Sequence, residues 1–153
     1  MKTDLLVLGI GNPLMGDEGV GCRLIEHFLS MPEKYPSVDF LDAGTGGLSI
    51  LHLIAGRGKV IIIDCAYMGA AAGTMKRFLP DETESVKRLA GQSLHEADIL
   101  KIIDMSRLLG QCPDEIVIFG IEPEQVGPGL SLSGAVAGKI SEYAGIIARE
   151  FVI

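Results

Sequence analysis

Three short apolar runs constrain this chain more than any other feature of its sequence. Leu5-Leu6-Val7-Leu8-Gly9-Ile10, Val60-Ile61-Ile62-Ile63 and Ile116-Val117-Ile118-Phe119 are too short for buried helices and show no polar alternation. Runs of this kind are strands buried on both faces, as in a parallel sheet. The first stops at Gly11-Asn12-Pro13 and the second at Asp64, and the third leads into a Gly/Pro-rich loop over 122–129.

Between these runs the apolar period changes to that of a helix. Over about 17–30, Val20, Leu24, Ile25 and Phe28 share one face, and Pro32 closes the segment. Residues 38–41 read as a further strand leading into Asp42-Ala43-Gly44-Thr45-Gly46-Gly47, and 48–55 as a helix stopped by Gly56 and Gly58. Residues 74–79 form a shorter, more polar strand suited to a sheet edge. A helix from about Ser93 carries Ile99, Ile102, Ile103 and Leu108, and a final one carries Val136, Ile140, Tyr143 and Ile147. This alternation predicts a three-layer α/β/α fold, with a mostly parallel five-stranded sheet and one antiparallel edge strand. At 153 residues, 1–153 reads as a single domain. Ligands of such sheets collect outside the carboxyl ends of the strands. The loop over 11–19, the loop over 42–47, Asp64 and the 122–129 loop are therefore expected on one rim.

Charge and cysteine usage narrow the function classes. A net charge of -7 repels phosphate backbones, so no nucleic-acid partner is expected. No apolar stretch approaches the ~20 residues of a membrane span. Lys2-Thr3-Asp4 runs into the first strand without the features of a signal peptide, and Cys22, Cys65 and Cys112 are odd in number and widely spaced. Reduced core thiols in a cytoplasmic protein are the expectation.

Several familiar motifs fail on one residue each. Gly9-Ile10-Gly11 lacks the third dinucleotide-binding glycine, because that position holds Leu14. Gly138-Lys139 is followed by Ile140, not by the hydroxyl residue of a phosphate loop. His95-Glu96 opens like a zinc-protease helix, but Ile99 stands in place of the second histidine. In Gly91-Gln92-Ser93-Leu94-His95 the last glycine of a nucleophile elbow is replaced by His95, and Ser93 reads as a helix N-cap.

What remains is an acid–acid–histidine set. Glu18 follows the first glycine-rich turn, where the helix dipole by itself favours a carboxylate by about 0.3–1 kcal/mol. Asp64 ends an apolar strand, where the core offers a carboxylate nothing. His95 stands near a helix start. Two carboxylates and one imidazole suit Zn²⁺ or another borderline transition metal and leave coordination positions open. Two neighbouring carboxylates also call for a proton or a cation between them.

At these residues the chain resembles the nickel–iron hydrogenase maturation proteases. The similarity lies in Gly9-Ile10-Gly11-Asn12-Pro13-Leu14-Met15-Gly16-Asp17-Glu18-Gly19-Val20-Gly21, Asp42-Ala43-Gly44-Thr45-Gly46-Gly47 and Ile63-Asp64-Cys65-Ala66. It continues through Ser93-Leu94-His95, Gly120-Ile121-Glu122-Pro123-Glu124 and Leu130-Ser131-Leu132-Ser133. The pieces occur in family order over nearly the whole chain, with Ala43 departing from a common glycine and 80–92 undiagnostic. The resemblance implies a phosphorylase/hydrolase-like fold. It also implies a cytoplasmic, monomeric endopeptidase that removes a C-terminal extension from the large-subunit precursor of a nickel–iron hydrogenase after nickel insertion. By carry-over Glu18, Asp64 and His95 contact the metal. Asp42, together with Glu18 and Asp64, would carry the catalysis, Asp42 as base or water-orienting group. The metal is the nickel carried by the substrate, or zinc or another divalent ion in the same site. The 122–129 loop is expected to help hold substrate. Two rival readings stay open: a catalytically silent hydrogenase chaperone, and an esterase like the peptidyl-tRNA hydrolases, whose opening Gly9-Ile10-Gly11-Asn12-Pro13 also resembles.

Overall fold

The computed structural model describes residues 2–45, 47–82 and 94–151, with the backbone alone for 94–98. Its strands are β1 (Leu5–Gly9), β2 (Val38–Asp42), β3 (Lys59–Cys65), β4 (Met75–Phe78) and β5 (Glu115–Ile121). They form a five-stranded sheet in the order β2-β1-β3-β5-β4. β2, β1, β3 and β5 run parallel, and β4 pairs antiparallel with β5 at the edge, as the more polar 74–79 segment predicts.

The helices are α1 (Val20–Leu29), α2 (Ser49–Ile54), α3 (Leu94–Leu108), α4 (Gly134–Ala137) and α5 (Ile140–Ala148). Strand alternation divides the core into two layers. Val7, Ile61, Ile63, Val117 and Phe119 pack with Leu24, Ile25 and Phe28 of α1 and with Tyr143 and Ile147 of α5. Leu6, Leu8, Val60, Ile62 and Ile118 pack with Ile50 and Ile54 of α2 and with Ile99, Ile102 and Ile103 of α3. The sheet is covered on both faces, so all seven residues of β3 are buried. Each of its isoleucines stabilises the fold by about 1.5–3 kcal/mol. Among the described residues no helix is long and apolar enough to cross a membrane.

Three local expectations differ from what forms. The helix read over 17–30 is a 3₁₀ turn, Gly16–Gly19, followed by α1. The final helix is split into α4 and α5 at Gly138 and Lys139, where the Lys139 N–H turns to the Val136 carbonyl three residues back instead of four. Glycine is a poor residue for continuing a helix. Leu108 is 87% exposed, and Ser106 takes the buried position seven residues after Ile99. Nine residues make two and a half turns, which carries Leu108 to the far side of the helix. The expected N-cap Ser93, Gly46 and most of the polar segment lie outside the described residues.

Close backbone packing seats α1. A Cβ on Gly21 would lie 2.7 Å from the Ile10 carbonyl oxygen and 2.8 Å from that of Ile63. Only a bare backbone lets the start of α1, and the turn before it, lie this near the end of β3.

Candidate active site

Sheet register brings the predicted rim together. Gly9 is flanked by Asp42 on β2 and Ile63 on β3, while Asp64 pairs with Gly120 and Cys65 with Ile121. Asp42, the loop after β1, Asp64 and Glu122 thus leave the sheet at its carboxyl edge. Strand β5 starts at the opposite edge, where Glu115 pairs with Lys59 and the Gln111 carbonyl accepts from Gly56 N–H. The helix that leads into it, α3, therefore begins at the carboxyl edge, with His95 its second residue. Position 95 lies one turn before Ile99, which is buried in the layer facing α2 and α3. The His95 side chain lies outside the described residues.

Glu18 is half-buried in the 3₁₀ turn. The first N–H groups of a helix lack intrahelical partners. Here no side chain caps the turn; the Gly129 carbonyl accepts from Gly16 N–H and the Gln125 carbonyl from Asp17 N–H, each at 3.0 Å. Gly11, at φ +136°, makes the reversal possible, since a Cβ there would meet the Glu18 carbonyl oxygen at 2.0 Å. Asp64 is 3% exposed. Strand alternation puts it on the side of Ile62, the face covered by α2 and α3.

The Cys65 thiol is buried at the end of β3. Burial pushes its pKa up, and the charges of Asp64, Glu18, Asp17 and Glu122 push it further. Among the described residues no group of three His, Cys, Asp or Glu side chains meets metal-holding geometry. Position 95 is not among the side chains so described.

Asp42 is exposed, and its Oδ1 accepts hydrogen bonds from Gly44 N–H at 2.8 Å and from the Cys22 thiol at 3.2 Å. Burial, the hydrogen bond to Asp42 and the charges of Asp42 and Glu26 push the Cys22 thiol up to about 12. The thiol therefore stays protonated and works as a donor. Cys22, expected only as core, also orients the Asp42 carboxyl.

Sequence reasoning missed two buried acids. Asp17 is 0% exposed and accepts from Glu124 N–H, Gln125 N–H, Ser133 N–H and the Ser133 hydroxyl, at 2.7–3.0 Å. Burial would raise its pKa, but the Gln125, Ser133 and Glu124 donors outweigh burial and hold it below the usual value. Glu122 is 6% exposed, and its Oε1 accepts from Met68 N–H at 2.7 Å and Ala70 N–H at 2.9 Å. No local spacing announces these bonds, which join residues 52 to 116 positions apart.

An α/β sheet with acids gathered outside its carboxyl ends is the layout of an enzyme working at that edge. The sequence profile described as hydrogenase maturation protease matches residues 22–150. The chain belongs to the hydrogenase maturation protease family. It is 34% identical over 147 residues to the hydrogenase expression/formation protein HupD of Rhodobacter capsulatus, covering 95% of this chain and 70% of that one. With HupD of Bradyrhizobium diazoefficiens it is 34% identical, covering 78% of this chain and 62% of the relative's length. Identity to the hydrogenase 2 maturation protease of Escherichia coli is 30%, over 89% of this chain and 83% of that one. The structure of the hydrogenase maturating endopeptidase HybD from E. coli matches with a TM-score of 0.84 at 28% identity, covering 95% of this chain and 90% of that one.

Proposed function

We propose that this protein is the endopeptidase that removes a C-terminal extension from the nickel-loaded large-subunit precursor of a nickel–iron hydrogenase. The observation that carries this reading is that the sheet register brings Asp42, the Glu18 turn and Asp64 to one edge, the edge where α3 begins. Family membership supplies the class of reaction. In this reading the nickel is substrate cargo, met by Glu18, Asp64 and His95. Two carboxylates and an imidazole suit nickel or zinc.

A metal seated against the scissile bond polarises its carbonyl and acidifies bound water. The chain's own residues do the rest. Asp42 is held through Oδ1 by Gly44 and Cys22, which leaves Oδ2 to take a proton from the attacking water. Asp64, buried at the strand end, and Glu18, fixed by the turn, bind the metal without having to be ordered first. The protein acts in the cytoplasm as a monomer.

The test is mass spectrometry of a nickel-loaded precursor incubated with wild type, Glu18→Ala and His95→Ala protein. Loss of one defined C-terminal fragment with wild type alone is the expected result. A precursor that binds but stays intact would instead identify a chaperone. Cleavage of nickel-free precursor by a zinc-loaded enzyme would move the metal from substrate to protease.

A further inference from the structure

We infer that Asp17 is a positioning residue for substrate: it clamps the 124–133 segment to the Glu18 turn, making that segment a fixed wall of the site. The inference rests on the protease reading above. Both oxygens of Asp17 are committed. Oδ1 accepts from Ser133 N–H at 2.7 Å, and Oδ2 from the Ser133 hydroxyl at 2.7 Å, Glu124 N–H at 2.9 Å and Gln125 N–H at 3.0 Å. A buried carboxylate collecting four donors from a segment more than a hundred residues away does not serve its own turn. That turn has its own bond, from Glu18 N–H to the Met15 carbonyl.

What the clamp fixes is accessible to a polypeptide. The bond from Gly129 N–H to the Leu14 carbonyl, at 2.9 Å, continues the seam. On either side of it stand Leu14 and Leu130, 60% and 65% exposed, with Val126 further along the same wall. Asp17 touches neither metal nor scissile bond in this arrangement. It sets where the chain being cut lies relative to Glu18.

Ser133 offers a test that spares the carboxylate. Ser133→Ala deletes one donor to Asp17, whereas Ser133→Thr keeps the hydroxyl. Cleavage kinetics on the nickel-loaded precursor, Ni²⁺ affinity of the free protein and amide hydrogen exchange are measured for both, and for Asp17→Asn. In Asp17→Asn the new amide hydrogens face donors. We expect Ser133→Ala to raise KM about tenfold at unchanged kcat, the scale of one hydrogen bond to a charged group. Ser133→Thr restores KM, Asp17→Asn raises it further, Ni²⁺ affinity stays within about twofold (well below one kcal/mol), and exchange quickens over 124–133 while β3 stays protected. A fall in kcat at constant KM, loss of Ni²⁺ affinity, or failure of Ser133→Thr to restore KM would overturn the inference. If wild type binds the precursor without cutting it, the protease reading falls and the same comparison made on Kd decides the clamp. If it does neither, equal exchange over 124–133 in wild type and Asp17→Asn overturns the clamp, and faster exchange in the variant upholds it.

Discussion

Replacing Gly21 with alanine is expected to destabilise this protein, while the same replacement at Gly145 is expected to stabilise it. Both glycines lie in helices, so propensity by itself predicts a gain of about 1 kcal/mol at each. The surroundings decide the sign. A Cβ at Gly21 would sit 2.7 Å from the Ile10 oxygen, 2.8 Å from the Ile63 oxygen and 2.9 Å from the Ile10 nitrogen, where ordinary contact begins at 3.4 Å. All three neighbours are backbone of the sheet and its first loop, so α1 must retreat by roughly 0.7 Å. Overpacking of this kind costs about 1–3 kcal/mol. With three backbone contacts under 3.0 Å the cost lies in the upper part of that range, about 2–3 kcal/mol, so after the propensity gain the net loss is about 1–2 kcal/mol, or roughly 2–8 °C in Tm. At Gly145, exposed on α5, a Cβ meets nothing within 4 Å, so Gly145→Ala should gain about 0.5–1 kcal/mol. Urea denaturation of both variants, with unchanged m-values, reads the difference. A neutral or stabilising Gly21→Ala would refute the close approach of α1 to the ends of β1 and β3.

Other expectations are as direct. Burial acts to raise the Asp39 carboxyl, but the hydrogen bonds from Arg57 and Thr3 and the Arg57 charge hold it below its usual value. At Asp17 burial is likewise outweighed, by the Gln125, Ser133 and Glu124 donors. Each therefore lends stability that is fully present above the unfolded pKa near 4 and lost as pH falls through the folded one. The urea midpoint should drop below about pH 4, and Asp39→Asn should make the drop shallower; an unchanged slope would refute the assignment. Native-state alkylation at pH 8, followed by peptide mass mapping, should label half-buried Cys112 before Cys22 and Cys65, which are buried with raised pKa values. Equal labelling of Cys22 would contradict its place beneath Asp42. Glu122→Ala strands the Met68 and Ala70 amides, so it should cost about 2 kcal/mol and speed exchange at those two amides in particular.

The sequence alone was enough for the sheet and its working edge. Uninterrupted runs such as Val60-Ile61-Ile62-Ile63 require cover on both faces, and alternation with helical segments makes the sheet parallel. The carboxyl edge, with Asp42 and Asp64 on it, follows from chain direction. Glu18 and Asp64 were visible as candidates because each is an acid at a chain turn that local packing does not need. Tertiary structure alone decided the rest. Asp17 looked like one more acid in a first helical turn, because its donors arrive from Glu124, Gln125 and Ser133, across a hundred residues of intervening chain. The expected start of α1 is a 3₁₀ turn whose Gly16 and Asp17 N–H groups are met from the same distant segment, by the Gly129 and Gln125 carbonyls. Cys22 read as core for the same reason: its neighbour in space, Asp42, is twenty residues away. Period and turn chemistry are local, and a sequence displays them. A hydrogen bond between distant segments exists only once the sheet has brought those segments together, and nothing in either segment announces it beforehand.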